Sequence, residues 1–282
     1  MTITHFKSGL AQLGDARIYY EVAGAGKPFV MIHAGVADSR QWNNEFPFFA
    51  RHYRVVRYDQ RGYGKSEPVD GEFSHLQDLT ALLDFLKVNQ PAVLMGCSMG
   101  GGLALDFALT NPARARAVIM VDSGPGGLEL ETPAPADFEA KFEQAEKAFK
   151  SGDLDRTAEL ETQIWFDGVG RSSDQVNQEM RRLAYEMNLN VLAHEVKHLG
   201  KRLPNLSVPA AKRLDEISLP VLLIAGEHDE PYTFAAADYM LEKIPSARKA
   251  VIANAAHLPN LEHPAQFQKI VSDFLDTIPA EN

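Results

Sequence analysis

Short runs of consecutive apolar residues constrain this chain more than any other feature. Ala92–Met95, Val118–Val121 and Val221–Ala225 carry no polar residue, and Phe29–His33 carries only its terminal histidine. A strand with one wet face alternates polar and apolar side chains, so runs like these belong to a parallel sheet covered on both faces. Helical periodicity lies between them. Leu76, Leu79, Leu82, Leu83 and Leu86 recur at helical spacing between Ser74, a candidate N-cap, and Asn89. A second helix follows the glycine-rich Gly96–Gly102 and stops near Thr110, where Asn111-Pro112 ends it. Arg17–Val22, Arg54–Tyr58 and Lys249–Ile252 read as further strands, and Phe234–Lys243 and Pro264–Leu275 as helices, the latter with proline in its first turn. Strands alternating with helices, joined by right-handed crossovers, give an α/β fold: a doubly wound, mostly parallel sheet.

One stretch breaks the alternation. From about Gly126 to Asp215 no strand is evident, and Phe138–Lys150, Asp155–Ile164 and Asp174–Leu199 read as helices flanked by proline-containing linkers. The expected organisation is a core of residues 1–125 and 216–282, with residues 126–215 inserted as a helical cap. The cap is acidic, with 15 acidic against 7 basic side chains between Glu129 and Glu195, which reads as a solvated helical surface. The net charge of −10 argues against nucleic acid, whose phosphates require clustered Lys and Arg. No apolar run reaches the length of a membrane span, and Met1–Leu13 lacks the apolar core of a signal peptide. A cytoplasmic monomer or homodimer with no membrane partner is the resulting expectation. The single cysteine, Cys97, rules out an intramolecular disulfide.

Gly96-Cys97-Ser98-Met99-Gly100 lies between a strand and a helix. In that setting the G-x-S-x-G pattern reads as a nucleophile elbow, a tight turn that lifts the serine hydroxyl above the sheet. The helix that starts there aims unpaired N–H groups and its dipole at the same point. A plain glycine-rich turn with an N-cap serine is the simpler alternative. A phosphate-binding loop is disfavoured because no Lys-Ser/Thr pair follows. Cys97, one residue before the serine, should point back into the sheet and be inert.

A serine hydroxyl needs a base, and the base an orienting acid. His257 follows the strand Lys249–Ile252 in the small-residue loop Ala253-Asn254-Ala255-Ala256, and is the candidate base. Asp229 follows Val221–Ala225 and is the candidate acid, with Glu227 and Asp122 as rivals. All three candidates follow strand carboxyl ends, where open α/β sheets place their ligand crevice. Two backbone N–H groups should face a developing oxyanion: that of Met99, and one from the loop after Phe29–His33. Position favours Gly35 there, with Ala34 and Val36 still open, while His33 reads as a residue that holds this loop.

These residues, together with Trp42, Asp59-Gln60-Arg61-Gly62-Tyr63-Gly64-Lys65-Ser66 and Gly226-Glu227-His228-Asp229, resemble the α/β-hydrolase superfamily. The likeness is to its small bacterial esterases, enol-lactone hydrolases and carbon–carbon bond hydrolases. It spans roughly residues 15–125 and 215–278, and departs from the family where many members have His-Gly and this chain has His33-Ala34. The resemblance implies a lid over the site and cofactor-free cleavage of a small-molecule ester or lactone by Ser98, His257 and Asp229. Trp165-Phe166-Asp167-Gly168 is similar to lid segments of lactonase-like members. Trp165, Phe166 and Phe142 are therefore candidates for the substrate pocket, or for lid packing. Carbon–carbon bond hydrolysis, perhydrolase or haloperoxidase-like activity, and a low-turnover ligand receptor share the same constellation. No metal is expected, although His194-Glu195-Val196-Lys197-His198 matches the spacing of a zinc protease helix.

Overall fold

The computed structural model describes residues 6–68, 70–197 and 199–279. The chain begins with β1 (Lys7–Leu13), β2 (Ala16–Ala23) and β3 (Pro28–Ile32), followed by the short α1 (Glu45–Phe49), β4 (Arg54–Tyr58) and the two-residue β5 (Glu72–Phe73). Next come α2 (His75–Phe85), β6 (Ala92–Cys97), α3 (Met99–Thr110) and β7 (Ala115–Val121). Three further helices, α4 (Ala136–Lys150), α5 (Leu154–Thr162) and α6 (Gln178–Glu195), precede β8 (Lys201–Arg202) and β9 (Val221–Gly226). The chain closes with α7 (Pro231–Lys243), β10 (Ala247–Ile252), α8 (Pro259–Glu262) and α9 (Pro264–Leu275).

Eight strands form one sheet in the order β1-β2-β4-β3-β6-β7-β9-β10. β1 and β2 pair antiparallel, as do β2 and β4, and every later pairing in that sheet is parallel. The apolar runs divide their side chains between two cores. Val30, Ile32, Leu94, Val118 and Leu223 face one cluster, which α2, α3 and α7 cover. Phe29, Met31, Val93, Met95 and Ile224 face the other, which includes Trp42, Phe46 and Phe267 from the opposite side. Alternate residues of one run thus serve opposite faces, which is why the runs hold no polar position.

Three local expectations need correction. β1 escaped the sequence reading because only Ala11 of its seven residues is buried, so this edge strand shows no apolar face. Ser74 precedes α2 as expected, but its side chain caps nothing and its hydroxyl donates to Asn205 Oδ1 instead. The stretch expected to lack strands contains β8, which pairs in parallel with β5 in a second, two-stranded sheet.

Helices α4, α5 and α6 fall between β7 and β9, as the interruption in the pattern suggested. α5 runs on into a π-helical turn, Gln163–Asp167. Beyond it the chain is stitched to the core. The Val169 N–H donates to His228 O at 2.7 Å, and His228 Nδ1–H donates back to Val169 O at 2.9 Å. Arg171 reaches the carbonyls of Phe166, Asp167 and Asn254 and forms a buried ion pair with Glu262 at 2.8 Å. Glu262 in turn accepts the Ala256 N–H at 2.7 Å.

Two stability measurements follow. A methyl group at Gly96 would lie 2.0 Å from the Gly100 carbonyl oxygen, backbone that cannot retreat without parting strand from helix. Gly96→Ala should lower the urea midpoint by the equivalent of about 3 kcal/mol, the upper end of ordinary overpacking costs. Arg171→Met leaves Glu262 charged and buried without its partner, and should cost about 3–5 kcal/mol. Adding Glu262→Gln, which keeps an acceptor for Ala256, should recover a measurable part of that loss in the same titration. No recovery would mean that the Arg171 contacts to carbonyls, not the ion pair, dominate.

Candidate active site

The candidate residues gather at the carboxyl ends of the parallel strands. Ser98 follows β6, Asp229 follows β9 by a tight turn closed by Asp229 N–H to Gly226 O, and His257 follows β10. Ser98 has φ 52° and ψ −118°, a conformation that costs a serine on the order of 1–3 kcal/mol and persists only because its surroundings enforce it. Those surroundings are explicit. The Ser98 N–H donates to Val121 O at 2.8 Å, and its carbonyl accepts the N–H groups of Gly101 and Gly102 and the Ser123 hydroxyl. The side chain is thereby turned up from the sheet into a cavity of about 400 Å³. Met99, Trp165, Leu203, Tyr232 and His257 also line that cavity.

His257 and Asp229 form a buried pair. His257 Nδ1–H lies 3.0 Å and 2.9 Å from the two Asp229 carboxylate oxygens, which fixes the proton on Nδ1 and leaves Nε2 as the basic nitrogen. Burial alone would make the imidazole harder to protonate, but the Asp229 charge and hydrogen bond outweigh it and raise its pKa above the usual histidine value. Burial likewise opposes ionisation of Asp229. Its contacts with His257, Asp122 and Thr233 prevail and hold its pKa below the ordinary carboxylate value. Glu227, a rival acid, is turned away to accept the Asn254 N–H. The other rival, Asp122, sits beneath the pair with its Oδ1 accepting the Gly226 N–H at 2.8 Å.

The backbone donors sort themselves by their partners. The Ala34 N–H donates to Gln41 Oε1 at 2.9 Å, so it is not available to a ligand. A Cβ at Gly35 would lie 3.8 Å from that of Met99, which puts the Gly35 loop against the start of α3. His33 holds this loop: its Nδ1–H donates to Ala34 O at 2.7 Å, and its Nε2 accepts the Gln60 N–H at 2.9 Å. Both ring nitrogens are thus used within the protein, and burial lowers the pKa of the ring. Cys97 is buried in the core on the sheet face that carries Trp42 and Phe267, where burial pushes its thiol pKa well up, and its Sγ–H contacts His257 O at 3.3 Å.

The aromatic candidates part company. Trp165 lines the cavity with its ring 4.6 Å from that of His257, and its carbonyl accepts the His257 N–H. Phe142 does not reach the cavity lining; it packs edge-on behind Trp165 at 5.5 Å. Phe166, a candidate for the pocket or for packing, is wholly buried in the core cluster that holds Trp42 and Phe267. Of the zinc-like pattern, His194 Nδ1–H donates to Gly62 O, α6 ends at Glu195, and His198 lies outside the described residues. Among the described residues no three His, Cys, Asp or Glu side chains are grouped to hold a metal ion. No described helix is long and apolar enough to cross a membrane.

Residues that the sequence did not single out support the site. Gln41 removes Ala34 from consideration, Ser123 braces the Ser98 carbonyl, and Arg171 with Glu262 anchors the loop of His257. None carries a local signal, since each acts through a partner distant in sequence.

Residues 29–269 match the profile of the Alpha/beta hydrolase family. A 2-hydroxy-6-oxononadienedioate/2-hydroxy-6-oxononatrienedioate hydrolase of Paraburkholderia xenovorans is 27% identical, over 93% of this chain and 91% of its own length. A pimeloyl-acyl-carrier-protein methyl ester esterase of Aeromonas hydrophila is 29% identical, over 89% and 96%. The crystal structure of the enol-lactonase from Burkholderia xenovorans shares the fold with a TM-score of 0.74 at 23% identity, covering 95% of this chain and all of that one. With 241 of its residues inside the family profile and the eight-stranded, mostly parallel sheet in place, the chain belongs to the alpha/beta hydrolase family.

Proposed function

We propose that this hydrolase cleaves a carboxylic ester or lactone of a small molecule through an acyl-enzyme on Ser98. The observation that carries the reading is the strained Ser98 turn opening on the same cavity as His257, whose other nitrogen is held by buried Asp229. In this reading His257 Nε2 takes the Ser98 proton as Oγ attacks the carbonyl. The N–H groups of Met99 and Gly35 receive the oxyanion, and His257 protonates the leaving alkoxide. Water activated by the same imidazole then releases the acyl group. Asp229 keeps the tautomer fixed throughout and stabilises the imidazolium. The esterase from Aeromonas hydrophila supports ester chemistry on a chain of this kind.

A second reading keeps the same residues. The Paraburkholderia relative is named for hydrolysis of 2-hydroxy-6-oxo dioic acids, which contain no ester, so their hydrolysis breaks a carbon–carbon bond. A panel of simple esters, lactones and vinylogous diketones separates the two by relative kcat/KM.

A fluorophosphonate should label wild-type protein at Ser98, located by peptide mass spectrometry, and Ser98→Ala should abolish the label. An unlabelled, folded wild type would remove the activated-serine reading. The raised pKa of His257 also sets a pH dependence. The base works unprotonated, so kcat/KM should fall on acidification with a midpoint above the ordinary histidine value of 6.5. Asp229→Asn removes the charge that raises it. The midpoint should move down in pH, and kcat should fall by roughly 10⁴-fold through the wrong tautomer.

A further inference from the structure

We propose that Asp122 is a positioning residue that carries a proton on Oδ2 and donates it as a hydrogen bond to Asp229, holding the triad acid from the side opposite His257. The inference rests on the triad reading above. Asp122 follows β7 with φ 44°, a bend that a non-glycine residue adopts only under constraint. The bend is locked on both sides. Its N–H donates to Ile224 O, and its Oδ1 accepts the Gly226 N–H, each at 2.8 Å. Gly226 O accepts the Asp229 N–H, so both carboxyl groups are anchored on one residue of β9. Asp122 is only 1% exposed, and no donor reaches its Oδ2.

With Oδ1 committed to Gly226 and Oδ2 buried without a partner, the neighbouring Asp229 side chain, within hydrogen-bonding reach of the Asp122 carboxyl group, is the acceptor we assign to Oδ2. Two ionised carboxylates in contact and out of water repel each other, and one proton turns the repulsion into a hydrogen bond. The surroundings decide which group holds it. Asp229 has the imidazole of His257 and the hydroxyl of Thr233 to stabilise its charge, whereas Asp122 has one backbone N–H. The remaining titratable groups facing the two are Cys97, held neutral by burial, and the carboxyl groups of Glu262 and Glu230. None of these offers Asp122 a positive charge. Burial, and next the charge on Asp229, push the carboxyl pKa of Asp122 well above its usual range, in keeping with a retained proton. The arrangement gives Asp229 a donor on each side and leaves the carboxylate little freedom to rotate away from the imidazole.

Two variants separate this role from a merely structural one. Asp122→Ala removes the donor. Without it the charge of Asp229 is less dispersed and falls more heavily on His257, so the acidic midpoint of kcat/KM should move to higher pH. kcat should fall about tenfold with KM little changed. Asp122→Asn supplies an N–H to Asp229 and an oxygen to Gly226, and should restore most of kcat together with the wild-type midpoint. The proposal is overturned if Asp122→Asn instead moves the midpoint to lower pH, because an ionised Asp122 would then have been contributing its charge. It is also overturned if both variants lose activity equally with the midpoint unmoved. Where the alanine variant does not fold, infrared difference spectra of wild type against Asp122→Asn at neutral pH decide the matter. A protonated carboxyl band lost in the variant supports the proposal, and loss of ionised carboxylate bands alone refutes it. That readout needs no turnover, so an unlabelled Ser98 would sink the hydrolase reading and still leave the proton on Asp122 to be judged.

Discussion

The clearance between β6 and α3 is the constraint on which the site depends. Gly96 and Gly100 pass so closely that a methyl group on the first would sit 2.0 Å from the carbonyl of the second. One on Gly100 would sit 2.4 Å from the carbonyl of Ile32 at the end of β3. Strand, helix and neighbouring strand therefore meet at one backbone crossing with no side chain between them. The chain must turn upward within a single residue, and Ser98 is that residue. Because α3 begins there, its first N–H groups face the space above Ser98. Because β3 touches the same crossing, its loop brings Gly35 alongside Met99. A single packing requirement thus fixes both the proposed nucleophile and the proposed oxyanion donors.

Electrostatics at the site follow from burial rather than from exposed charge. Asp229, His257, Asp122 and Cys97 are all buried, and each avoids an isolated charge in a different way. Asp229 keeps its charge by pairing with an imidazole, the favourable way to hold a buried ion. Cys97 stays a thiol and uses its proton on the carbonyl of His257, which couples the residue before Ser98 to the residue proposed as base. Two residues adjacent in function are in this way joined through atoms that take no part in the reaction.

Much of this was legible in the sequence, for identifiable reasons. Runs of four or five apolar residues without polar alternation, bounded by turn residues and alternating with helical segments, fit strands buried on both faces, so the central sheet could be read from them. The elbow could be read because glycines at both ends of a strand-to-helix turn answer a steric need. Asp229 and His257 stand out as candidates because each follows a strand closely, and the structure pairs their side chains. The features that escaped depend on partners far apart or on faces that carry no signal. β1 has one buried residue and so no periodicity. Arg171 and Glu262 are 91 positions apart, and nothing local marks either as half of a buried pair. The choice among Ala34, Gly35 and Val36 could not be made from loop composition; it narrowed only when Gln41 was found to occupy the Ala34 N–H. Whether Phe166 lines a pocket or packs could not be decided from helical spacing, which suits both; its burial in the core depends on Trp42 and Phe267, far away in the chain.

The π-helical turn Gln163–Asp167 also ties the helical insertion to the loop of His257. Trp165 O accepts the His257 N–H, Val169 exchanges two hydrogen bonds with His228, and Arg171 grips Glu262, which holds Ala256. From Trp165 to Arg171 the segment is therefore part of the scaffold of His257, the proposed base, and a change that shifts it shifts His257 as well. α4 carries no such attachment: its Phe138 and Phe142 stack on one another and then on Trp165, contacts that tolerate repacking. One insertion thus contains a hydrogen-bonded part beside His257 and, in α4, a part held by ring packing.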